Sequence, residues 1–460
     1  MIDRIGLLLR ERLIRRRSMN ATRIVALGFA VIILTGSLLL MLPCSSRSGQ
    51  VTGFIDCLFT ATSATCVTGL VPVDTELYWT FFGQLVILLL IQLGGLGFMT
   101  VITLVSFALH RRIGLSERLI MVSTLNLNDM DGVVRVVRHA LMGTFFLEGI
   151  GALLLSIRFV PQFGVAGGIW RGVFHAVSAF CNAGFDLFGA RFGAFTSVEG
   201  YHDDPYVLLI LMVLIVVGGL GFFVWEDLVR ARRRKKLSLY SKMVLVITAF
   251  LLLGGTAYFF FAEYHNPATI GNMPLWQKLL NAAFQSTTLR TAGFATFDQG
   301  GLRESSMVVS CVLMLIGGSS GSTAGGLKTV TAAVLLLGLR ASLAGREQVT
   351  FRGRAISYRR VANAMTLALI MIFLFLLGSI TISLTENVHY LEAAFETASA
   401  LGTVGVTTGI TPDLSPVSQV LLTGLMYLGR VGVFSVSVAF LIRGQGLSRV
   451  KYPYLDVMIG

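Results

Sequence analysis

The chain has 460 residues, of which 54% are hydrophobic and only 13% are charged, and its formal net charge is +13. Soluble globular proteins carry about 25% charged residues, so this composition excludes a soluble fold and predicts that lipid surrounds much of the chain. The positive charge does not indicate nucleic-acid binding, because most basic residues lie in five clusters between apolar segments, at 4–23, 111–138, 230–242, 340–360 and 443–451. This alternation predicts a multi-pass protein of the plasma (inner) membrane with both termini in the cytoplasm.

Eight apolar segments are each long enough for a membrane helix, which needs about 20 residues. They lie at 20–42, 80–109, 139–160, 206–229, 241–263, 306–340, 361–386 and 416–442. Four shorter, less apolar pieces lie between members of successive pairs, at 54–70, 169–186, 276–295 and 390–410. Since the charge pattern places both ends of each piece on the outer side, each is expected to be a re-entrant half-helix followed by extended chain. Such backbone is tolerated at membrane depth where it is buried in protein or lines a wet cavity.

The four short pieces are internal repeats. In each, a hydroxyl residue precedes a glycine by six positions: Ser63 and Gly69, Ser178 and Gly184, Thr287 and Gly293, Ser399 and Gly405. A phenylalanine four residues before the hydroxyl recurs as Phe59, Phe174 and Phe395, whereas Phe284 falls one place out of register. The glycines recur about every 110 residues. A second marker follows each glycine in the next apolar segment, as Gly94-Gly95, Gly218-Gly219, Gly317-Gly318 and Gly429-Arg430.

The two sequence markers recur together four times. This repetition predicts an all-α polytopic membrane protein, with four helix–pore loop–helix repeats around one central pore, as in potassium channels. The corresponding division of the chain is a cytoplasmic N-terminal segment at 1–19, repeat 1 at 20–109, repeat 2 with its preceding cytoplasmic loop at 110–229, repeat 3 at 230–340, repeat 4 at 341–443 and a C-terminal tail at 444–460.

Four re-entrant segments around one axis can form a ring of backbone carbonyls that replaces the hydration shell of a cation. The expected cation-binding residues are the four glycines, with K⁺ bound there, and the residue before each: Thr68, Gly69, Ala183, Gly184, Ala292, Gly293, Val404 and Gly405. Glycine suits this ring because it reaches positive φ and leaves no side chain in the path of the ion. None of the four positions is acidic, so selectivity would depend on carbonyls. Tight helix packing is the alternative role, but packing does not require a matched hydroxyl and aromatic residue.

The last apolar segment of repeat 3 is interrupted by a run of small residues that disfavours a stable helix, since each glycine costs about 1 kcal/mol relative to alanine. The run is Gly317, Gly318, Ser319, Ser320, Gly321, Ser322, Thr323, Ala324, Gly325 and Gly326, followed by Leu327 and Lys328. It superficially resembles a phosphate-binding loop, but Leu327 separates the glycine from the lysine and no strand precedes it. We expect a flexible intramembrane loop that lines and gates the pore, with Lys328 and the basic stretch at 340–360 connecting it to a cytosolic partner.

Two arginines lie at membrane depth, where a charge indicates a functional role by default. Arg430 stands where the other repeats have the second glycine of the marker, and is expected either to act in gating or to satisfy carbonyls of the broken helix. Arg290 is expected to brace the strand before Gly293 by pairing with an acid, for which Glu148 and Glu396 are the candidates.

These motifs resemble the Trk/Ktr/HKT superfamily of potassium transporters over nearly the whole chain, and the eight long segments are most similar to its Ktr-type (KtrB-like) membrane subunit. The glycine-serine run at 317–326 matches the gating loop of that family, and Gly429-Arg430-Val431-Gly432 looks like its fourth-repeat arginine motif. Val433-Phe434-Ser435 departs from the family pattern, in which proline is common. The resemblance implies a homodimer with one pore per protomer, gated by a cytosolic KtrA-like or TrkA-like ring that binds nucleotides.

Within this resemblance Gly69 favours potassium, because sodium-favouring relatives in plants tend to carry serine there. A sodium-permeable or sodium-coupled transporter of the same fold is the alternative, with Na⁺ as a coupling or activating ion. We expect no tightly bound cofactor and no enzyme activity. The five cysteines and six histidines show no metal-ligand spacing, and no paired intramembrane aspartates appear.

Overall fold

A computed structural model of the chain describes residues 23–97, 133–234 and 236–432. Several predicted features lie outside the described residues: the N-terminal segment, most of the basic cluster at 111–138, the far ends of the apolar segments 80–109 and 416–442, the motif at 433–435 and the C-terminal tail.

The described residues form four repeats of the predicted order, so the all-helical polytopic fold is confirmed. Each repeat has an outer helix, a shorter pore helix and an inner helix. The outer helices are Arg23–Leu40 (outer helix 1), 133–163 (outer helix 2), Leu239–Ala262 (outer helix 3) and Tyr358–Glu386 (outer helix 4). The pore helices are Phe54–Thr65, 165–180, Leu275–Thr288 and Tyr390–Gly402, numbered 1 to 4. Outer helix 2 and pore helix 2 form one long element, Val133–Phe180, which is interrupted at Gly164 by a φ of +75°.

The inner helices are Phe81–Leu96, Pro205–Leu220, Glu304–Leu315 and Pro416–Val431, numbered 1 to 4. Inner helix 3 is followed by the predicted loop and a continuation helix, Thr329–Leu343. Inner helix 2 is followed by a helix at Phe222–Arg234, which we call the surface helix. The remaining elements are short helices at Thr75–Tyr78, Gly189–Phe192, Glu199–Tyr201, Gln299–Gly301 and Thr411–Asp413, and an antiparallel hairpin of Thr350–Phe351 and Arg354–Ala355 in which Thr350 pairs with Ala355.

Burial separates the two kinds of helix. In pore helix 4 every residue from Ala393 to Gly402 is buried, including the polar Glu396, Thr397 and Ser399. The outer helices instead expose large apolar side chains, such as Leu253, Phe261 and Leu369. An apolar surface around a core that contains polar groups is expected where lipid is the solvent, and it places the pore helices at the protected centre.

Inner helices 1, 2 and 4 end earlier than the apolar segments of the sequence predict. Four described helices are individually long and apolar enough to cross a membrane, and three of them are outer helices 1, 3 and 4, while the fourth contains outer helix 2. Inner helix 2 reaches that length only together with the surface helix, and the two are bent by 94°. Inner helices 1, 2 and 4 each end at a glycine with positive φ: Gly97 at +79°, Gly221 at +90° and Gly432 at +91°.

The second glycine marker explains how the inner helices approach the pore helices. A Cβ atom at Gly94 would collide with the carbonyl of Thr65, at the end of pore helix 1. The corresponding atoms at Gly218 and Gly429 would collide with carbonyls of Phe180 and Leu401, in the last turns of pore helices 2 and 4. These three glycines therefore permit inner helices 1, 2 and 4 to press against the end of the pore helix of their own repeat, whereas Gly317 lies against Gly325 in the loop.

Candidate ion pathway

Each pore helix ends in a turn with unusual backbone geometry. The residue two places before each predicted filter glycine is left-handed, with φ values of +51° at Val67, +59° at Asn182, +72° at Thr291 and +53° at Thr403. Three of these residues are β-branched, for which positive φ is a genuine outlier that costs on the order of 1–3 kcal/mol. No feature of the sequence predicts this strain, but its recurrence at one position in all four repeats indicates a shared structural requirement of the turn.

The filter glycines themselves have φ values that favour glycine. The values are +102° at Gly69, +73° at Gly184, +84° at Gly293 and +96° at Gly405. Alternation of left-handed and right-handed conformations from the turn to the glycine directs successive carbonyls to the same side of the chain. Such a strand can present several carbonyl oxygens to an ion on one axis.

The predicted hydroxyl residues hold these strands in place. Ser63 Oγ accepts a hydrogen bond from the backbone N–H of Gly69, and Ser399 Oγ accepts one from Gly405, both at 3.0 Å. Ser178 Oγ instead donates to the carbonyl of Phe185 at 2.7 Å. Each bond connects the end of a pore helix to the strand that follows it. This contact explains why a hydroxyl residue recurs at the same position of these repeats.

In repeat 3 the hydroxyl residue selected by the sequence alignment, Thr287, does not anchor the filter strand. Thr287 Oγ1 donates to its own helix, at the carbonyl of Ala283. The residue that anchors the strand is Thr288, whose Oγ1 donates to the carbonyl of Phe294 at 2.6 Å. With Thr288 as the equivalent residue, Phe284 returns to register with the other three phenylalanines. The turn of repeat 3 is one residue shorter, since the N–H of Ala292 bonds to the carbonyl four residues back, whereas the equivalent N–H groups reach five residues back.

The four predicted glycines meet at one place in the structure. A Cβ atom at Gly184 would lie 2.7 Å from the Cα of Gly293, and one at Gly293 would lie 2.8 Å from the Cα of Gly184. A Cβ atom at Gly405 would lie 2.8 Å from the Cα of Gly69, while one at Gly69 would lie 3.3 Å from the Cα of Gly405. No side chain can be added to this ring without displacing the backbone of another repeat.

The residues before the glycines contribute carbonyl oxygens to the same ring. The carbonyl of Ala183 would lie 2.5 Å from a Cβ atom at Gly69, that of Ala292 would lie 2.8 Å from one at Gly184, and that of Val404 would lie 2.6 Å from one at Gly293. The carbonyl of Thr68 would collide with a Cβ atom at Gly405. All eight predicted filter residues are therefore brought together, and the ring presents neutral oxygens that suit a weakly hydrated monovalent cation.

Sequence reasoning missed the role of the polar residue that follows the pore-helix phenylalanine in repeats 2, 3 and 4. His175 Nε2 accepts a hydrogen bond from the N–H of Leu187, and the amide of Gln285 donates to Gln299 Oε1 at 2.6 Å. The carboxylate of Glu396 accepts from the N–H of Thr408 at 3.1 Å, and also from two threonine hydroxyls. These buried side chains hold the segments just outside the ring. A fourfold alignment extended by one position would have identified them as polar residues on buried helices.

Acidic residues beyond the ring join repeats 1 and 2. Glu76 forms an ion pair with Arg171 and accepts a hydrogen bond from the N–H of Ala190. Asp74 caps the short helix that follows it and also accepts from the N–H of Phe195. Farther from the axis, burial and then the nearby charge of Asp298 raise the pKa of the Glu199 carboxyl to about 7. Asp74 and Glu76 are bonded to these partners, and Glu199 lies away from the filter glycines. The ring of the four glycines therefore contains backbone carbonyls and no carboxylate.

The predicted loop runs from Ile316 to Lys328 and is not helical, as expected. Its two ends pair with each other, since the N–H of Gly317 bonds to the carbonyl of Leu327 at 2.9 Å. Its middle lies against the base of the ring, where a Cβ atom at Gly325 would collide with the Thr403 side chain. Small residues are required here because the loop lies directly against the left-handed turn of repeat 4.

The tip of the loop is bonded to repeat 2. The N–H of Ser319 donates to the carbonyl of Gly219 at 3.0 Å, and the N–H of Phe222 donates to the carbonyl of Gly321 at 2.9 Å. The Ser319 hydroxyl also donates to the carbonyl of Leu220. The loop tip therefore lies on the bend between inner helix 2 and the surface helix, a contact that the sequence did not predict.

Arg430 connects three repeats through backbone carbonyls. Its guanidinium donates to Thr323 in the loop, and to Gly94 and Gly95 at the end of inner helix 1, at 2.5 and 3.1 Å for the latter two. The expected contact between Arg430 and the exposed carbonyls of the loop is present. The arginine also satisfies the last carbonyls of a neighbouring helix, which favour a positive charge.

Lys328 differs from its expected orientation. Its ammonium group turns back into the loop and donates to the carbonyl of Ala324 at 2.7 Å, with Gly325 at 3.4 Å. It therefore braces the loop from within, because these carbonyls have no helical partner. The proposed contact with a cytosolic partner then depends on the exposed stretch at 340–360 alone.

The expected acid partner of Arg290 is wrong in the described part of the chain. The Arg290 guanidinium donates to the carbonyl of Gly317 at 3.4 Å and to Thr329 Oγ1 at 3.5 Å, and takes part in none of the ion pairs there. Glu148 accepts instead from Gln92 and Cys181, and Glu396 has the partners given above. Arg290 follows pore helix 3, and its guanidinium reaches the interrupted end of inner helix 3, where a carbonyl and a hydroxyl replace the acid.

Within residues 23–97, 133–234 and 236–432 no group of three or more histidine, cysteine, aspartate or glutamate side chains is arranged to hold a metal ion.

Comparison with known proteins agrees with this architecture. The family model described as TrkH, cation transport protein, matches residues 4–448. The chain is 40% identical to the potassium/sodium uptake protein NtpJ of Enterococcus hirae, over 97% of this chain and 98% of that protein. It is 39% identical to the Ktr system potassium uptake protein B of Bacillus subtilis, over 98% and 99% of the two chains.

The fold matches the crystal structure of the potassium transporter TrkH from Vibrio parahaemolyticus, with a TM-score of 0.69 and 19% identity. That match covers 92% of this chain and 85% of the other. The resemblance drawn from the motifs is therefore confirmed at the level of sequence and of fold. The chain belongs to the TrkH family of cation transport proteins.

Proposed function

We propose that this protein takes up potassium across the plasma membrane through the ring formed by its four filter glycines. One observation carries the proposal: four glycines at positive φ, one from each repeat, meet with their neighbouring carbonyls around a single axis. The names of relatives support the choice of ion, since NtpJ is a potassium/sodium uptake protein and the Ktr system proteins are potassium uptake proteins.

The ring would compensate an ion for the loss of water. Moving a bare ion into a low-dielectric interior costs on the order of tens of kcal/mol, which a cage of carbonyl oxygens must offset. Each pore helix ends just before its filter strand, so its C-terminal end faces the ring. The partial negative charge at each helix end, about half an elementary charge, adds to the attraction. An inside-negative membrane potential then supplies the driving force for accumulation.

The loop at 317–326 would act as the gate. It lies against the turn of Thr403, and its tip is bonded to inner helix 2 through backbone groups and the Ser319 hydroxyl. Arg430 connects it to inner helix 1. Low helical stability allows a modest force to move it. In this account Arg430 holds the closed loop, and a cytosolic ring that binds nucleotides moves it through the basic stretch at 340–360.

The assembly we propose is a homodimer with one pore in each protomer, orientated with both termini in the cytoplasm. Three relatives are named as uptake proteins of a Ktr system, which supports a partner that acts with the membrane subunit. The distribution of basic clusters supports the orientation, because cytoplasmic loops carry an excess of lysine and arginine.

A sodium-permeable or sodium-coupled transporter remains the second candidate, favoured by the printed name of NtpJ. Expression in a cell that lacks its own potassium uptake distinguishes the two. We expect growth at low external potassium to be restored without added sodium. Growth that is not restored despite protein in the membrane, or that requires sodium, would contradict potassium-selective uptake. The Arg430→Ala variant and the empty vector provide the comparison.

A further inference from the structure

The surface helix is placed by a sharp bend at the end of inner helix 2. Gly221, with a φ of +90°, separates the two helices, and their axes differ by 94°. The surface helix therefore runs nearly perpendicular to inner helix 2, and the basic residues at its end assign that end to the cytoplasmic side by the positive-inside rule. The bend is fixed by Trp225, whose indole N–H donates to the carbonyl of Val217 at 3.0 Å and whose ring contacts Phe180 at the end of pore helix 2.

The outer part of this helix has the features of a membrane-surface helix. Leu228 and Val229 are exposed, Val229 by 70%, although both are apolar. Arg230 follows on the helix and forms an ion pair with Glu226. The sequence then continues as Arg232-Arg233-Arg234-Lys235-Lys236, the densest run of positive charge in the chain. Exposed apolar residues beside a cluster of four to eight basic residues, immediately cytoplasmic of a membrane helix, are typical of contact with anionic lipid.

The same helix is bonded to the tip of the loop. Its first residue, Phe222, donates to the carbonyl of Gly321, and Ser319 donates to the carbonyls of Gly219 and Leu220 on the other side of the bend. Tyr240, at the start of outer helix 3, adds a bond to the carbonyl of Ser320 at 3.4 Å. A rotation of the surface helix about Gly221 must therefore break these bonds or move the loop tip with it.

We propose that anionic lipid headgroups of the cytoplasmic leaflet bind the basic surface helix and thereby hold the loop against the filter. This inference rests on the proposed role of the loop as the gate. Lipid that binds the helix preferentially in its observed orientation stabilises that orientation, and with it the hydrogen bonds between the helix and the loop tip. Removal of the lipid, or of the basic charge that attracts it, frees the helix and weakens the closed loop.

The test uses the purified full chain in liposomes of neutral phosphatidylcholine, with or without added phosphatidylglycerol. For the intact protein we expect potassium flux to be lower in the anionic liposomes, by about threefold or more at low salt, because each basic residue is attracted to the charged surface. High salt should reduce the difference by screening. The variant Arg232→Gln/Arg233→Gln/Arg234→Gln/Lys236→Gln should conduct equally in both liposomes.

A matched control removes four basic residues from the other described cytoplasmic segment, as Arg346→Gln/Arg352→Gln/Arg354→Gln/Arg359→Gln. These residues are exposed and make none of the described contacts with the loop. We expect this control to keep the lipid dependence of the intact protein. A variant that lacks residues 318–325 should lose it, because the helix then has no loop tip to hold.

Equal lipid dependence in the intact protein and in the surface-helix variant would overturn the inference and leave the basic surface to a cytosolic protein. Lipid dependence that persists after the loop is deleted would also overturn it, because the coupling would then not pass through the loop tip. An intact protein that conducts no potassium in any liposome would instead refute the proposed function. The two failures are therefore distinguishable in one set of measurements.

Discussion

At residue 69 a side chain would meet two separate obstacles. The φ of Gly69 is +102°, which L residues rarely adopt, and its Cβ atom would lie 2.5 Å from the carbonyl of Ala183. We expect Gly69→Ser to displace one carbonyl of the ring and so to raise sodium permeability relative to potassium. The measurement is the ratio of sodium to potassium flux in liposomes.

The control for this substitution is Gly254→Ser on outer helix 3, where the added Cβ atom has open space around it and φ is not in the left-handed region. Its ion ratio should equal that of the intact protein. If Gly69→Ser, Gly184→Ser and Gly293→Ser all leave the ratio unchanged in folded protein, the filter assignment is wrong.

The adjacent threonines of repeat 3 provide a test with nearly isosteric substitutions. Thr288→Val removes the hydrogen bond to Phe294 that anchors the filter strand, whereas Thr287→Val removes only a bond within its own helix. Leaving the Phe294 carbonyl without its buried donor costs about 1–3 kcal/mol, so we expect a lower melting temperature and weaker potassium selectivity in Thr288→Val alone. Equal effects of the two valines would contradict the revised alignment of repeat 3.

The residues show why some of the site could be predicted and some could not. The filter glycines were predictable because glycine is the residue that tolerates both positive φ and contact with a neighbouring backbone. The left-handed conformations of Val67 and Thr403 were not, since β-branched residues favour extended backbone and only the surrounding repeats impose this turn. Arg290 was expected to need an acid, but the orphan carbonyl of Gly317 at a broken helix accepts its hydrogen bond instead.

Among the elements, the pore helices and the loop were predicted because composition interrupts the apolar pattern at each of them. The shortening of the inner helices was not, because Gly97, Gly221 and Gly432 lie within or beside apolar runs that continue past them. Hydropathy does not register one glycine in such a run. The bend of 94° after inner helix 2 depends on that glycine and on tertiary contacts such as those of Trp225.

Deletion of several residues from 318–325 tests the gate at the level of the element. The deletion removes the loop tip and its bonds to Gly219 and Phe222, which connect it to repeat 2. We expect basal potassium flux to rise and control by a cytosolic partner to weaken. A deletion variant that folds, reaches the membrane and conducts no faster than the intact protein would show that the loop is not the gate.

Arg430→Ala is the companion variant, because it removes the side-chain anchor and leaves the loop itself intact. Its guanidinium donates to one loop carbonyl and to two carbonyls of inner helix 1, so flux should rise by less than in the deletion. If only Arg430→Ala has no effect on flux, the arginine is a structural brace and the gate assignment stands.

Across the whole molecule, the filter follows the fourfold repeat and the proposed gate does not. The filter uses equivalent positions of all four repeats, as an ion on the axis requires, whereas the loop, Arg430 and the surface helix each come from one repeat. The regular spacing of the repeats made the pore predictable from the sequence. The contacts that join the loop tip to repeat 2 were not predictable, because they connect Ser319 and Gly321 to the bend at 219–222 mainly through backbone groups, which carry no sequence signal.

The most direct test of this account is ion flux through the purified chain in liposomes with an imposed potential, inside negative. A unit charge that crosses the membrane gains about 2.3 kcal/mol per 100 mV, so potassium should accumulate without ATP and without sodium. Potassium flux should follow the potential and should exceed sodium flux. In Gly69→Ser the ratio of potassium flux to sodium flux should be lower than in the intact protein. Potassium uptake that requires ATP hydrolysis by this chain, or sodium uptake that equals potassium uptake in the intact protein, would contradict a potassium-selective pore at the four glycines.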